Sequence, residues 1–149
     1  MTRLTLAQAT LIASAGLDHA RASGFRPMTI AVLDAGGHLV AFLREDGSGI
    51  LRPEIAHGKA WGVLGMGHGG RDLAARSREA PAFYAAIAAA SQGRVIPVQG
   101  GVLIRDAEGE VIGAVGVSGD MPDKDEACAL HGIGRAGLTA DPGHAPPAF

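Results

Sequence analysis

Residues 96–120 read IPVQGGVLIRDAEGEVIGAVGVSGD, and this stretch decides the fold class. Two apolar runs, residues 102–105 and 110–118, flank the sequence DAEG at residues 106–109. Valine and isoleucine favour strands, whereas aspartate and glycine favour a turn. We therefore predict two neighbouring antiparallel strands. A further short strand is expected over residues 95–98, just before Gln99-Gly100-Gly101.

The residues before this stretch predict a helix, a hairpin and three more helices. Thr5 and Gln8 have the spacing of a capping box at the start of the first helix, and Gly24 is a natural stop for it. The strand-like runs 28–34 and 38–44 are joined by DAGG, which suits a tight hairpin turn. The remaining helices are expected over residues 51–66, over residues 71–78 and from Pro81 to a stop at Gly93.

A last helix is expected from residues 121–123 to about residue 136, and residues 139–149 form a proline-rich tail. The order lacks the regular β-α alternation of a doubly wound fold. We therefore predict one domain, residues 1–149, of the α+β class. It would hold a single, mostly antiparallel sheet of about five strands with helices on its faces.

Composition and charge exclude several functional classes. A chain of 149 residues can bury a core, and its 13 basic and 15 acidic residues give a net charge of -2, which argues against a nucleic-acid partner. Cys128 is the only cysteine, so no intrachain disulfide is possible. There is no membrane-length apolar run and no signal-peptide pattern at the start. A cytoplasmic protein without a membrane partner is expected.

Four glycines in the predicted helix 51–66 and just beyond it are spaced four, three and four residues apart: Gly58, Gly62, Gly65 and Gly69. An interior helical glycine costs about 1 kcal/mol relative to alanine, so the stripe needs a compensating contact. A second helix packed on the stripe is the favoured interpretation, ahead of a flat ligand. The alternative is a frayed helix that leads into a glycine loop.

The same segment carries Glu54, His57, Trp61 and His68, the richest polar and aromatic cluster in the chain. An imidazole could ligate a metal or a haem iron, and Trp61 could stack on a planar ring. His57 and His68 lie about 16 Å apart along a straight helix, so they cannot share one ion. For each histidine the alternative is a surface or hydrogen-bonded residue.

Lys59 lies beside this cluster and has two interpretations. It could bind a ligand carboxylate or, if desolvated, act as a base or Schiff-base amine. Alternatively it is a surface lysine or the partner of an acid such as Glu54 or Asp34. His57 and Lys59 are therefore the candidate acid/base residues.

A second cluster lies at the strand ends, at Gly100, Gly101 and Ser118. Backbone N–H groups in such glycine turns suit an anion or a carbonyl oxygen. The acids that follow, at positions 120, 123, 125 and 126, either hold a surface cation or favour the start of the last helix.

Three strings of the sequence, LDAGGHLVAFLREDGS, IAHGKAWGVLGMG and the 96–127 block, carry a family resemblance. Over residues 4–138 the chain resembles the GlcG/HbpS family of haem-binding-like proteins, which is similar to the C-terminal domain of PduO-type cobalamin proteins. The resemblance implies a profilin-like sandwich, homo-oligomers from dimers to octamers, and haem or tetrapyrrole binding in some members. The positions that carry the pattern are Asp34, Arg44, Lys59, Gly100, Gly101, Gly113, Gly116, Ser118, Gly119 and Asp125. His57 and His131 stand where small or apolar residues are expected.

Three functional hypotheses follow. The first is an oligomeric protein that binds haem, a corrinoid or another small planar ligand, with His57 as the candidate iron ligand. The second is a cofactor-free enzyme for a small oxo-acid or aromatic catabolite, with Lys59 or His57 as acid/base. The third is an accessory subunit without a ligand. The candidate ligand-binding residues are Arg44, Glu54, His57, Lys59, Trp61, Gly100, Gly101 and Ser118.

Overall fold

A computed structural model describes residues 2–146. In these residues five helices accompany one five-stranded sheet, in which each neighbouring pair of strands is antiparallel and the order is β2-β1-β4-β3-β5. The α+β class and the single antiparallel sheet are confirmed. The elements are α1 (Leu6–Ser23), β1 (Thr29–Asp34), β2 (Leu39–Arg44), α2 (Arg52–Met66), α3 (Gly70–Glu79), α4 (Pro81–Ala90), β3 (Gly101–Arg105), β4 (Val111–Ser118), α5 (Pro122–Arg135) and β5 (Thr139–Asp141).

One of the five strands in the sheet is not the one that the sequence predicted. Residues 95–98 form no strand, because Pro97 lacks a backbone donor and the segment runs along α2 instead, where the Ile96 nitrogen donates to the Gly58 carbonyl at 3.2 Å. The fifth strand is β5, which pairs with β3. It lies at the start of the predicted proline-rich tail, at residues 139–141, where the sequence analysis predicted no strand. Residues 147–149 of the predicted tail lie outside the described residues.

One face of the sheet is covered by α1 and α5, which are in direct backbone contact. The predicted capping box is present, since the Thr5 and Gln8 side chains each accept from the other's backbone nitrogen. A Cβ atom at Gly132 of α5 would overlap the carbonyl oxygen of Ile12. The two helices therefore approach closely, and isoleucine and valine side chains fill the space between them and the sheet.

The other face is covered by α2, which lies flat on the glycine-rich strands. A Cβ atom at Gly116 of β4 would overlap the Ala56 carbonyl oxygen, and one at Gly101 of β3 would meet the Lys59 carbonyl oxygen at 2.5 Å. Small residues on both elements thus bring a helix backbone onto a strand backbone. The position of α2 is fixed by this contact.

The glycine stripe of α2 packs closely, but its partner is not the helix that the sequence predicted. Gly58 and Gly62 face Ile96 and Val95 of the extended segment 94–98. Gly69 precedes α3 and contacts the backbone of residues 142–143, whereas Gly65 is exposed. Extended backbone thus covers three of the four glycines and leaves Gly65 uncovered.

Substitution of Gly116 tests the close contact between α2 and β4. We expect Gly116→Ala to lower the free energy of unfolding by about 3 kcal/mol, because the added methyl group has no space beside the Ala56 backbone. Gly134→Ala in α5 is the matched control, since nothing lies within 4 Å of its Cβ position. The free energy of unfolding of Gly134→Ala should rise by up to about 1 kcal/mol, because alanine is more favourable than glycine inside a helix. Urea unfolding of both variants measures the difference, and equal stabilities would contradict this account of the packing.

Candidate functional site

A cavity of about 370 Å³ opens between α2, the edge strand β2 and the loop after α4. It exists because α2 packs over β4, β1 and β3 but leaves the same face of β2 largely uncovered. The sheet contributes only apolar side chains to the wall, whereas α2 and the loop contribute polar groups. The lining residues are Ala31, Leu39, Phe42, Pro53, Glu54, His57, Gln92, Gly93 and Arg94. We call this space the His57 cavity.

His57 is the chemically most versatile residue of the His57 cavity. Partial burial lowers the pKa of its imidazole below 6.5, and the positive charge of Arg94 lowers the pKa further. The ring is therefore uncharged at neutral pH and has a free nitrogen lone pair to offer a metal. Glu54 lies three positions earlier on α2 and lines the same cavity, as the sequence predicted for one helix face.

Arg94 is the cavity residue that the sequence analysis missed. Its guanidinium lies 4.4 Å from the centroid of the Trp61 ring, and its Nε donates to the Ser91 carbonyl at 2.9 Å. Trp61 does not line the His57 cavity; its ring packs against the Arg94 guanidinium. The indole also lies close to Gly37, a turn residue with a positive φ. No local pattern identified Arg94, because its position depends on a ring 33 residues away in the chain.

Lys59 lies outside the cavity, in a buried ion pair. Its Nζ donates to Asp125 Oδ2 at 3.0 Å and to the Val117 carbonyl at 2.9 Å, and the two side chains are only 3% and 1% exposed. The partner is Asp125, not Glu54 or Asp34, the acids considered from the sequence. Burial lowers the pKa of Lys59 and raises the pKa of Asp125, because desolvation outweighs the attraction between the charges. Two protein oxygens thus accept hydrogen bonds from the Lys59 amine.

Gly100 lies directly against this ion pair. Its φ of 116° lies in the region that favours glycine, and a Cβ atom there would come within 2.8 Å of the Lys59 Nζ. Gly101 starts β3 and packs on the Lys59 backbone. Ser118 is buried and accepts from Arg52 at 3.1 Å. These three predicted ligand-binding residues contact protein groups.

The other predicted residues are placed as follows. Arg44 is exposed, donates to the Ser48 carbonyl at 2.7 Å and lines a separate depression with Glu45 and Asp46. His131 of α5 stacks on His19 of α1, with ring centroids 4.7 Å apart. The predicted ligand-binding set therefore divides: Glu54 and His57 meet at the cavity, Trp61 adjoins it, and Arg44, Lys59, Gly100, Gly101 and Ser118 lie elsewhere.

The acidic residues at the start of α5 do not form a surface cation site. Asp125 and Glu126 are buried, and Glu126 pairs with Arg71, whose Nε lies 3.0 Å from Oε2. Within residues 2–146, no three side chains of histidine, cysteine, aspartate or glutamate are grouped so that they could hold a metal ion. The alternative interpretation, in which these acids favour the start of α5, agrees with Asp123 and Asp125 lying in its first turn.

Removal of one member of the Lys59–Asp125 pair should be strongly destabilising. We expect Lys59→Met to cost about 3–5 kcal/mol of unfolding free energy, because it leaves a buried carboxylate without a countercharge. The double variant Lys59→Met/Asp125→Asn should lose less, since no charge is then buried and the Asp120 nitrogen keeps its acceptor. Urea denaturation of both variants measures the difference. A double variant less stable than Lys59→Met would contradict the prediction.

Comparison with known proteins places the chain in a family. The family described as "Haem degrading protein HbpS-like" matches residues 4–134. Three solved structures are similar: HbpS (30% identity, 90% of both chains, TM-score 0.77), the Klebsiella pneumoniae protein ORFY (26%, 92% of this chain and 93% of that one, 0.82) and PduOC in a haem complex (22%, 93% and 98%, 0.83).

A search of curated proteins found no match. None of the helices in residues 2–146 is long and apolar enough to span a bilayer. The resemblance seen in the sequence is thus confirmed by a profile over 131 residues and by a relative of 30% identity that shares the fold. On these grounds the chain belongs to the HbpS-like family.

Proposed function

We propose that this chain binds haem or a related planar tetrapyrrole in the His57 cavity and does so as a homo-oligomer. The observation that carries the proposal is the arrangement of His57 beside an apolar wall formed by Ala31, Leu39 and Phe42. A volume of about 370 Å³ is in the range of small-molecule sites. Leu39 and Phe42 remain partly exposed, so the cavity is open on one side and a macrocycle wider than the cavity can extend out of it.

The chemistry of the lining suits a haem iron. Histidine imidazole is a common axial ligand of haem iron, and apolar side chains such as those of Leu39 and Phe42 favour burial of the faces of the macrocycle. The family is described as haem degrading, and its relative PduOC was solved with haem. Both descriptions concern other proteins, and they support the choice of tetrapyrroles as the first ligands to test.

The assembly part of the proposal rests on exposed apolar side chains near the cavity. Leu39 and Phe42 of the edge strand β2, with Ile50 and Leu51 before α2, are exposed apolar residues that form what we call the β2 surface. Ile50 is 91% exposed. An apolar edge strand invites pairing with another chain unless it is covered. A second copy of this chain is the occupant we propose for the β2 surface.

Haem titration tests the ligand and His57 together. We expect the wild type to give a saturable Soret band, and His57→Ala to lose or shift it, because the axial nitrogen is removed. His68→Ala is the matched control, since His68 lies just after α2 and outside the cavity, and its band should match the wild type. A wild type without a saturable band contradicts the ligand, and an unchanged band in His57→Ala contradicts the role of His57.

Light scattering after size-exclusion chromatography tests the assembly. We expect the wild type to be a dimer or larger and Ile50→Asp to shift it towards the monomer, because a carboxylate in an apolar interface is costly to desolvate. Leu6→Asp is the control, because Leu6 is 66% exposed and lies on α1, outside the β2 surface. A monomeric wild type, or equal masses for the three proteins, argues against this interface.

A further inference from the structure

We infer that Arg94 is an anion-binding residue at the wall of the His57 cavity, so that the ligand carries a carboxylate group beside its planar apolar body. The inference rests on the proposed function for the location of the ligand and goes beyond it by naming the group that the ligand must carry.

The guanidinium of Arg94 is held in place without being neutralised. The Trp61 ring packs against the guanidinium, with its centroid 4.4 Å from Cζ, and the Arg94 Nε donates a hydrogen bond to the Ser91 carbonyl. Within residues 2–146 its two Nη groups have no hydrogen-bond partner, and no acidic side chain lies within 4 Å of it. Stacking on an indole preorganises the planar fork, and two free Nη groups match the two oxygens of a carboxylate.

Other arginines of the chain show the contrast. Arg21, Arg71 and Arg105 each pair with a carboxylate of the protein. Arg94 lines the cavity instead, and its charge reaches His57, whose pKa it lowers. The cavity thus contains a fixed cation whose partner is not supplied by residues 2–146.

The distribution of polarity gives the orientation of the ligand. The sheet wall is apolar, at Leu39 and Phe42, and the loop wall carries Arg94. A flat molecule that lies against the sheet can therefore direct a carboxylate towards the loop. Glu54 is the only acidic residue of the lining; like Arg94 it is exposed, and its carboxylate lies more than 4 Å from the Arg94 guanidinium nitrogens, so it does not neutralise them. Neutral planar ligands should bind more weakly than their carboxylate counterparts.

The test compares matched ligands that differ only in charge. Haem is titrated against haem dimethyl ester, and 2-naphthoate against 2-naphthamide, with Trp61 emission as the readout of the naphthalene pair because Trp61 is the only tryptophan. In the wild type we expect the carboxylate member of each pair to bind about tenfold more tightly, the effect of one charge-assisted contact at a partly exposed site.

Three variants locate the effect. Arg94→Gln should lose the preference in both pairs while its affinity for the neutral members stays unchanged, and Arg94→Lys should keep part of it, because a charge remains without the planar fork. Arg76→Gln, on the exposed side of α3, should match the wild type.

The outcomes separate this inference from the proposed function. Saturable haem binding with no preference over the ester, or with the same preference in Arg94→Gln, overturns the role of Arg94 and leaves haem binding standing. No saturable tetrapyrrole binding, together with an Arg94-dependent preference for naphthoate, overturns the proposed function and supports the anion site. No preference in either pair overturns the anion site.

Discussion

The buried contact between Lys59 and Asp125 is the constraint on which the site geometry depends. Lys59 belongs to α2 on one face of the sheet, and Asp125 belongs to α5 on the other. The Lys59 ammonium also reaches the Val117 carbonyl at the end of β4, and Asp125 accepts the Asp120 nitrogen. One hydrogen-bonded group therefore joins both helix layers at the end of a central strand. A desolvated pair adds little net stability, but it permits few other arrangements.

The cavity is a consequence of this placement. The ion pair and the backbone contact at Gly116 hold α2 over β4, β1 and β3, so β2 keeps one face uncovered. That face carries Leu39 and Phe42, whose exposure would be unfavourable if nothing covered it. The same geometry that packs the core thus leaves an apolar wall next to His57 and Arg94.

Local patterns in the sequence were sufficient for most of the elements. The capping box at Thr5, the hairpin at residues 34–37 and the extent of α2 all depend on neighbouring residues, and the structure has each of them. The errors arise where distant partners decide. Residues 95–98 have strand composition but become the cover of α2, and β5 is too short, at three residues, to produce a pattern. The partner of Lys59 lies 66 residues away in the chain, and the helix and strand periodicities relate only residues that are close in sequence.

The residues behind the family resemblance and the residues of the cavity are largely different sets. Lys59, Gly100, Gly116, Ser118 and Asp125 carry the resemblance, and each contributes to packing or to a buried polar contact. His57 and Arg94 are not part of that pattern, yet they provide the lone pair and the cation of the cavity. Because the packing residues fix the fold, the cavity residues can differ without loss of the fold. The resemblance therefore predicts the architecture of this chain, whereas its ligand must be inferred from its own cavity.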